Sequence, residues 1–163
     1  MTDLNSGVVC LRIETDEDKD FLLHLYISTR EAELLQTGWP QTEIHSFLTQ
    51  QFQAQCLSYR QLYPDAAYQL IVLRGETIGH LYLDRGEDEY RLIDISLLPA
   101  FRNQNLGSHL IQSILDEAAE KTKPVSVHVE HLNPARRLYD RLGFEPKEDR
   151  GAHLFMQWWP DHQ

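Results

Sequence analysis

Residues 92–108, LIDISLLPAFRNQNLGS, join a strand-like segment to a helix-like segment through a short polar loop. The apolar run ends at Pro99, and the next helix is predicted to begin at Gly107. A helix start offers backbone N–H groups without partners and the positive end of the helix dipole. Arg102 adds a forked donor and Ser108 adds a hydroxyl. The residues alone therefore predict a turn that binds an anion such as a pyrophosphate, although an ordinary strand-to-helix loop fits the same pattern.

The segments around this turn alternate between strand and helix periodicity. Before the turn, the chain is predicted to form one strand, two long helices and three further strands. After it come an amphipathic helix over residues 107–121, an apolar strand, a short helix over residues 134–142 and two final strands. Neither a linker nor a repeat is evident. This order predicts a single domain over residues 1–163 of the mixed α+β class, with helices around a largely antiparallel sheet.

Composition excludes several functional classes. The chain has 15 Lys and Arg against 25 Asp and Glu, a net charge of −10, and no basic cluster of the kind that binds nucleic acid or an anionic membrane. It lacks both a long apolar run and a secretory signal, so we expect a cytoplasmic protein with no membrane partner. The acidic balance slightly favours a cationic partner molecule. His128 and His131 would point to opposite faces of a strand, so no metal site is expected.

The 92–108 stretch resembles motif A of the GNAT acetyltransferase superfamily. That pattern is Arg or Gln, two residues, Gly, one residue, and then Gly or Ala. Arg102 matches its first position and Gly107 its last, while Asn105 replaces the first glycine. Asn is one of the few non-glycine residues that tolerate a positive φ, so the turn can still form.

A second block, residues 127–144, VHVEHLNPARRLYDRLGF, resembles the region of motif B in the same family. Two blocks in the right order are far more specific than either alone. The resemblance implies a central, mostly antiparallel sheet of about seven strands, flanked by about four helices. It also implies a splayed cleft between the fourth and fifth strands of that sheet.

The resemblance further implies an N-acyltransferase that moves an acetyl group from acetyl-CoA, its cosubstrate, to a primary amine. The strand backbone at Ile95 and Leu97 would pair with the pantetheine arm, and Asn133 would contact the cofactor. Tyr139 would lie near the cofactor sulfur and protonate the leaving thiolate, since a phenol is protonated at neutral pH. The pyrophosphate would be held by the residues of the turn: Arg102, Asn103, Gln104, Asn105, Leu106, Gly107 and Ser108.

Direct transfer needs a neutral amine, and a free alkyl amine is mostly protonated near pH 7, so a general base is required. Asp94, on the strand that precedes the turn, is the first candidate, and Glu130, at the end of its own strand, is the second. Each carboxylate also fits an ordinary solvated charge at a strand end. Tyr139 likewise fits an aromatic side chain that packs the short helix onto the sheet.

Two other functions fit parts of the sequence. The fold could carry a non-catalytic acyl-CoA sensor or interaction module. A dinucleotide-binding domain would need a glycine-rich turn after the first strand, which this chain lacks. The acceptor stays open among a small amine, an amino acid, an antibiotic and a protein N-terminus; Trp39 either lines that cleft or anchors a loop. Trp158 and Trp159 fit either terminal packing or a homodimer contact.

Overall fold

The structure is a computed structural model that describes residues 2–4, 7–131, 133 and 135–160. The strands are β1 (Thr2–Leu4), β2 (Gly7–Ile13), β3 (Ala67–Leu73), β4 (Glu76–Arg85), β5 (Tyr90–Leu97), β6 (Val125–Glu130), β7 (Glu145–Arg150) and β8 (His153–Trp158). The α-helices are α1 (Lys19–Leu35), α2 (Gln41–Leu62), α3 (Leu106–Glu120) and α4 (Ala135–Arg141).

Contacts within the chain group into two compact units. The first unit comprises the described part of Met1–Leu81 together with Ile95–Arg102. The second comprises Tyr82–Asp94 and the described part of Asn103–Gln163. Strands β4 and β5 therefore each contribute residues to both units.

In the first unit, a hydrogen-bonded cap precedes α1. The Thr15 hydroxyl accepts the N–H of Glu17, and the Asp18 carboxylate accepts the N–H of Thr15 at 2.8 Å. Arg12, near the end of β2, donates to both Asp18 oxygens at 2.8 and 3.0 Å. These bonds lower the pKa of Asp18 to about 2. The cap therefore ties the end of β2 to the beginning of α1.

Helices α1 and α2 each bury one apolar stripe, and these stripes contribute to the core of the first unit. Burial of aliphatic side chains of this kind is the main stabilising contribution to such a unit. Strand β2 pairs with β3 in antiparallel register from Val9↔Leu73 to Ile13↔Gln69. The buried aliphatic residues of the two helices are Leu22, Leu25, Ile44 and Leu48.

The second unit is built on α3 and on strands in the order β5-β6-β8-β7. Helix α3 is amphipathic, and its buried face consists of Leu106, Leu110, Ile111, Ile114, Leu115 and Ala118. Strand β6 runs parallel to β5 and antiparallel to β8. Its residues Val125, Val127 and Val129 are buried, as a strand paired on both sides requires.

Strand β7 pairs antiparallel with β8 and ends the strand order of this unit. All six of its residues, EPKEDR, are exposed. The register shifts between Pro146 and Glu148, so the pairing contains an irregularity at the proline. This strand is thus short, charged and irregular.

The predicted mixed α+β fold is confirmed, with four α-helices. The described residues form eight strands, and the additional strand is β1, which the polar N-terminal sequence did not suggest. The predicted short helix from Pro134 has its first residue outside the described residues, and α4 is described from Ala135. The single domain over residues 1–163 stays a prediction. Among the described helices, none is both long and apolar enough to cross a bilayer.

Candidate active site

In the second unit, the pairing of β5 with β6 covers only three residue pairs and ends at Leu92↔Val127. Both strands continue past that pair, as expected of a splayed pair. Directly opposite residues share a face and successive residues alternate, so Asp94 lies on the face of Leu92 and Val127. Glu130 lies three residues after Val127 and therefore on the opposite face. The structure thus separates the two candidate bases.

Tyr139, on α4 in the same unit, is 4% exposed. Its ring meets the Phe144 ring edge-on, with centroids 5.3 Å apart. Burial raises the pKa of the Tyr139 phenol, and the negative charge of Asp94 raises it further. The phenol is therefore protonated throughout the neutral range. The charge of Asp94 thus acts on the phenol of Tyr139, and a protonated phenol can donate a proton but cannot act as a base.

The turn before α3 contains two left-handed residues, Asn103 with φ 62° and Asn105 with φ 64°. Asn105 is the N-cap of α3, and its carbonyl accepts the N–H of His109 at 3.1 Å. The N–H groups of Leu106, Gly107 and Ser108 precede that first helical bond and have no carbonyl within the helix to bind. Asn105 thus supplies the backbone conformation expected of the glycine that it replaces. The turn presents three N–H groups at the positive end of a 15-residue helix.

A cation that the sequence did not indicate lies beside this turn. Arg141, an exposed residue at the end of α4, donates from its Nη2 to the Ser108 Oγ at 3.3 Å. A guanidinium at the positive end of a helix is electrostatically unfavourable unless an anion lies between them. Gly107 is close to α4 as well, because a Cβ built on it would lie 3.7 Å from the Leu138 Cδ2. The N-terminus of α3 and the helix α4 thus adjoin each other.

The left-handed turn gives a stability prediction. We expect Asn105→Ala to lower the free energy of unfolding by about 1 kcal/mol, because alanine lacks the tolerance of asparagine for positive φ. Asn105→Gly should leave the free energy of unfolding within a few tenths of a kcal/mol of the wild-type value. Urea unfolding of the three proteins measures both effects. Equal stability of the alanine and glycine variants would contradict the left-handed assignment.

In the first unit, the end of β5 is held by backbone and side-chain contacts. The Leu98 N–H donates to the Ile78 carbonyl at 2.8 Å. The Arg102 Nε donates to the Leu97 carbonyl at 2.9 Å, so this nitrogen of the guanidinium binds the backbone. Ile95 and Leu97 are half-buried.

Gly79 on β4 meets the end of β5 at very short range. A Cβ built on Gly79 would lie 2.2 Å from the Ser96 carbonyl oxygen and 2.9 Å from the Leu97 Cδ2. Only a residue without a Cβ allows this approach. An isolated glycine within a strand pattern is a recognised sign of close backbone approach, and that signal was present in the sequence.

Asn133 and Gln104 are exposed. The Asn133 Oδ1 accepts the N–H of Ala135 at 2.9 Å, so this side chain caps the start of α4. The predicted cofactor contact of Asn133 stays a prediction. The described residues contain no group of three or more His, Cys, Asp or Glu side chains that could hold a metal ion.

Comparison with known proteins agrees with this geometry. The Acetyltransferase (GNAT) family profile matches residues 29–144. A Bacillus subtilis (strain 168) protein, provisionally named a ribosomal protein bS18-alanine N-acetyltransferase, is 28% identical over 104 residues, which cover 58% of this chain and 69% of that protein.

Two solved structures share the fold at 16% identity. The PaiA N-acetyltransferase of Thermoplasma acidophilum, in complex with coenzyme A, has a TM-score of 0.70 over 93% of this chain and 99% of that chain. The ribosomal-protein-S18-alanine N-acetyltransferase of Escherichia coli has a TM-score of 0.60 over 96% of each chain. The residues that match the family profile make up most of the length over which this chain shares its fold with these two structures. The chain therefore belongs to the GNAT acetyltransferase family.

Proposed function

We propose that the protein is an N-acetyltransferase that moves an acetyl group from acetyl-CoA to a primary amine by direct attack in a ternary complex. The observation that carries the proposal is the left-handed turn at Asn105. It leaves three backbone N–H groups at the start of α3, beside the Arg141 guanidinium. A pyrophosphate is the anion that such a turn suits. Within the second unit, residues from Asn103 to Ser108 would hold it.

The remaining residues have the chemistry that the transfer requires. The backbone at Ile95 would bind the pantetheine arm as an extended ligand, and the backbone at Leu97 would bind the thioester end of that arm. The amine nitrogen attacks the thioester carbonyl carbon, and the carbonyl electrons move to oxygen. The Leu97 N–H would stabilise that oxyanion. Collapse re-forms the carbonyl and breaks the C–S bond, and the thiolate takes the phenol proton of Tyr139.

The amine must lose protons during the reaction. We assign Asp94 as the general base, directly or through one water molecule, because it lies within electrostatic reach of Tyr139. The proton from the amine then passes through Asp94 to the solvent or back to the Tyr139 oxygen. Glu130 is exposed on the opposite face of the sheet and is the second choice. The products are an amide and CoA with its thiol.

Isothermal titration with acetyl-CoA tests the binding half of the proposal. We expect wild-type binding in the micromolar range, weakened about three- to tenfold in Arg141→Gln because one charge-assisted contact is lost. Arg136→Gln is the matched control, since Arg136 lies on the same helix and its Nε is 3.9 Å from Asp140. Its affinity should stay at the wild-type value. A wild-type protein that binds no CoA species would overturn the proposal.

Thiol release in the presence of candidate amines tests the transfer half. The panel should contain a peptide with an N-terminal alanine, because two relatives carry names that specify that acceptor. It should also contain small alkyl amines and diamines, which the net charge of −10 would attract. Release that requires both acetyl-CoA and one of these amines supports the transferase. Tight binding without release for any amine would instead favour the non-catalytic sensor.

A further inference from the structure

We infer that Arg102 acts on the reaction through the backbone. Its Nε–H holds the Leu97 carbonyl and thereby fixes the Leu97 N–H, so Arg102 is a positioning residue rather than a phosphate ligand. This inference rests on the proposed function, because it concerns the N–H group that polarises the thioester. It concerns residues of the first unit alone.

The first argument is the direction of the peptide planes at the end of β5. In a trans peptide, the C=O and the following N–H point in opposite directions. The Leu98 N–H points to Ile78 on β4, so the Leu97 C=O points away from β4. There it meets the Arg102 Nε at 2.9 Å. In an extended residue, the N–H and C=O point to the same edge, so the Leu97 N–H also points away from β4.

The second argument is the contact at Gly79, which fixes the preceding peptide plane independently. The Ser96 carbonyl oxygen lies where a Cβ of Gly79 would be, 2.2 Å from the ideal position. The Ser96 C=O therefore points at β4, and the Leu97 N–H of the same peptide points away from it. Gly79 and Arg102 hold two successive peptide planes from opposite sides. Leu97 is left with its N–H directed to the edge of β5 that faces away from β4.

The third argument is the environment of the guanidinium itself. The Arg102 Nη2 is buried and has no hydrogen-bond partner among the described residues. Burial also lowers the pKa of this guanidinium. A phosphate oxygen could reach the buried nitrogen only if the surrounding atoms moved. Arg141, by contrast, is an exposed residue at the end of α4, beside the start of α3. The two arginines are therefore suited to different tasks.

The donor position matters more than the charge if this inference is correct. Glutamine carries its Nε2 at the same number of bonds from the backbone as the Nε of arginine, so it can donate to the same carbonyl without charge. Methionine has similar length and no donor. Lysine keeps the charge but has a methylene group at that position. Arg102→Gln, Arg102→Met and Arg102→Lys thus separate the hydrogen bond from the charge.

The carbonyl stretch of bound [1-¹³C]acetyl-CoA, measured by infrared difference spectroscopy, is the deciding signal. A positioned Leu97 N–H moves this stretch to lower frequency. We expect Arg102→Gln to keep the low-frequency band and to bind acetyl-CoA within about threefold of wild type. Arg102→Met and Arg102→Lys should both lose the band, and thiol release with the best amine of the panel should be at least about tenfold slower. A band kept in Arg102→Lys but lost in Arg102→Gln would overturn the inference in favour of a charge-based role.

A measurement on the wild-type protein covers the case in which a variant does not fold. In protein labelled with [¹⁵N]arginine, the Arg102 Nε–H should exchange slowly with solvent before acetyl-CoA is added. Its chemical shift should change little on binding, whereas a phosphate ligand would shift strongly. Fast exchange and a strong shift would overturn the inference and leave acetyl-CoA binding intact. Absence of any acetyl-CoA binding would overturn this inference together with the proposed function.

Discussion

Tyr139→Phe should lower turnover by about 10²- to 10⁴-fold while the Kd for acetyl-CoA stays within about twofold of wild type. The loss follows because a thiolate must leave unprotonated once the phenol is removed. The ring stays, so its edge-on contact with Phe144 and its packing on α4 are retained. Thiol release with the best amine of the panel, together with isothermal titration, measures the two quantities.

Tyr90→Phe is the matched control for this loss. Tyr90 is 1% exposed, lies in the same unit and donates its hydroxyl to Glu117 at 2.6 Å. Its removal should cost about 1 kcal/mol of stability and leave turnover unchanged. Equal turnover losses in the two variants would mean that Tyr139 acts only through packing.

The pH dependence adds an independent check. Because burial and Asp94 raise the pKa of Tyr139, the neutral phenol is stabilised, and the proton donor is retained as the pH rises. Turnover should therefore rise with pH up to the pH at which the acceptor amine loses its proton, about 8 for a peptide N-terminus and about 10 for an alkyl amine. If the turnover of the wild type began to decrease before that pH was reached, and the turnover of Tyr139→Phe did not, this would contradict the raised pKa of Tyr139.

Gly79→Ala is expected to give the largest loss of stability. The new Cβ would lie 2.2 Å from a backbone oxygen, and contacts under 3.0 Å are essentially never seen for real Cβ atoms. The end of β5 must therefore move away from β4, at a cost of about 3 kcal/mol or more in the free energy of unfolding. The Kd for acetyl-CoA should rise at least about tenfold, because the Leu97 backbone moves with the strand.

Gly107→Ala is the stability control for this change. Its Cβ would meet only the Leu138 Cδ2, at an ordinary 3.7 Å. We expect the free energy of unfolding of Gly107→Ala to equal or exceed the wild-type value, since alanine favours a helix. Urea unfolding of both variants separates the effect of the close contact from a general intolerance of added methyl groups. Similar losses in both would argue against the contact at Gly79.

The sequence predicted helix caps and turns well, because interactions between residues close together in the chain determine their conformation. Threonine is a residue type that favours helix caps, and Thr15 is the N-cap of the short turn before α1. The turn at Asn105 was expected to adopt a positive φ, and it does. In both cases the outcome depends on residues within four positions of each other, so the sequence contains the necessary information.

Long-range relations were not predictable in the same way. Nothing in the spacing of Ser108 and Arg141 indicates that a guanidinium lies beside the start of α3. The hydrogen bond from the Arg102 Nε to the Leu97 carbonyl was not predictable either, because a motif does not reveal which backbone group a side chain binds. The opposite faces of Asp94 and Glu130 follow from the β5–β6 register, and register is set by pairing across the sheet.

The short, charged strand β7 has a consequence for how copies of this protein meet. An exposed strand edge normally invites a strand from another molecule to add to it. Here any added strand would meet Glu145, Lys147, Glu148 and Arg150, and it would find no N–H donor at Pro146. The irregular register would also prevent a long continuous ladder. Concentrated protein should therefore resist aggregation through this edge, and self-association would require a different surface.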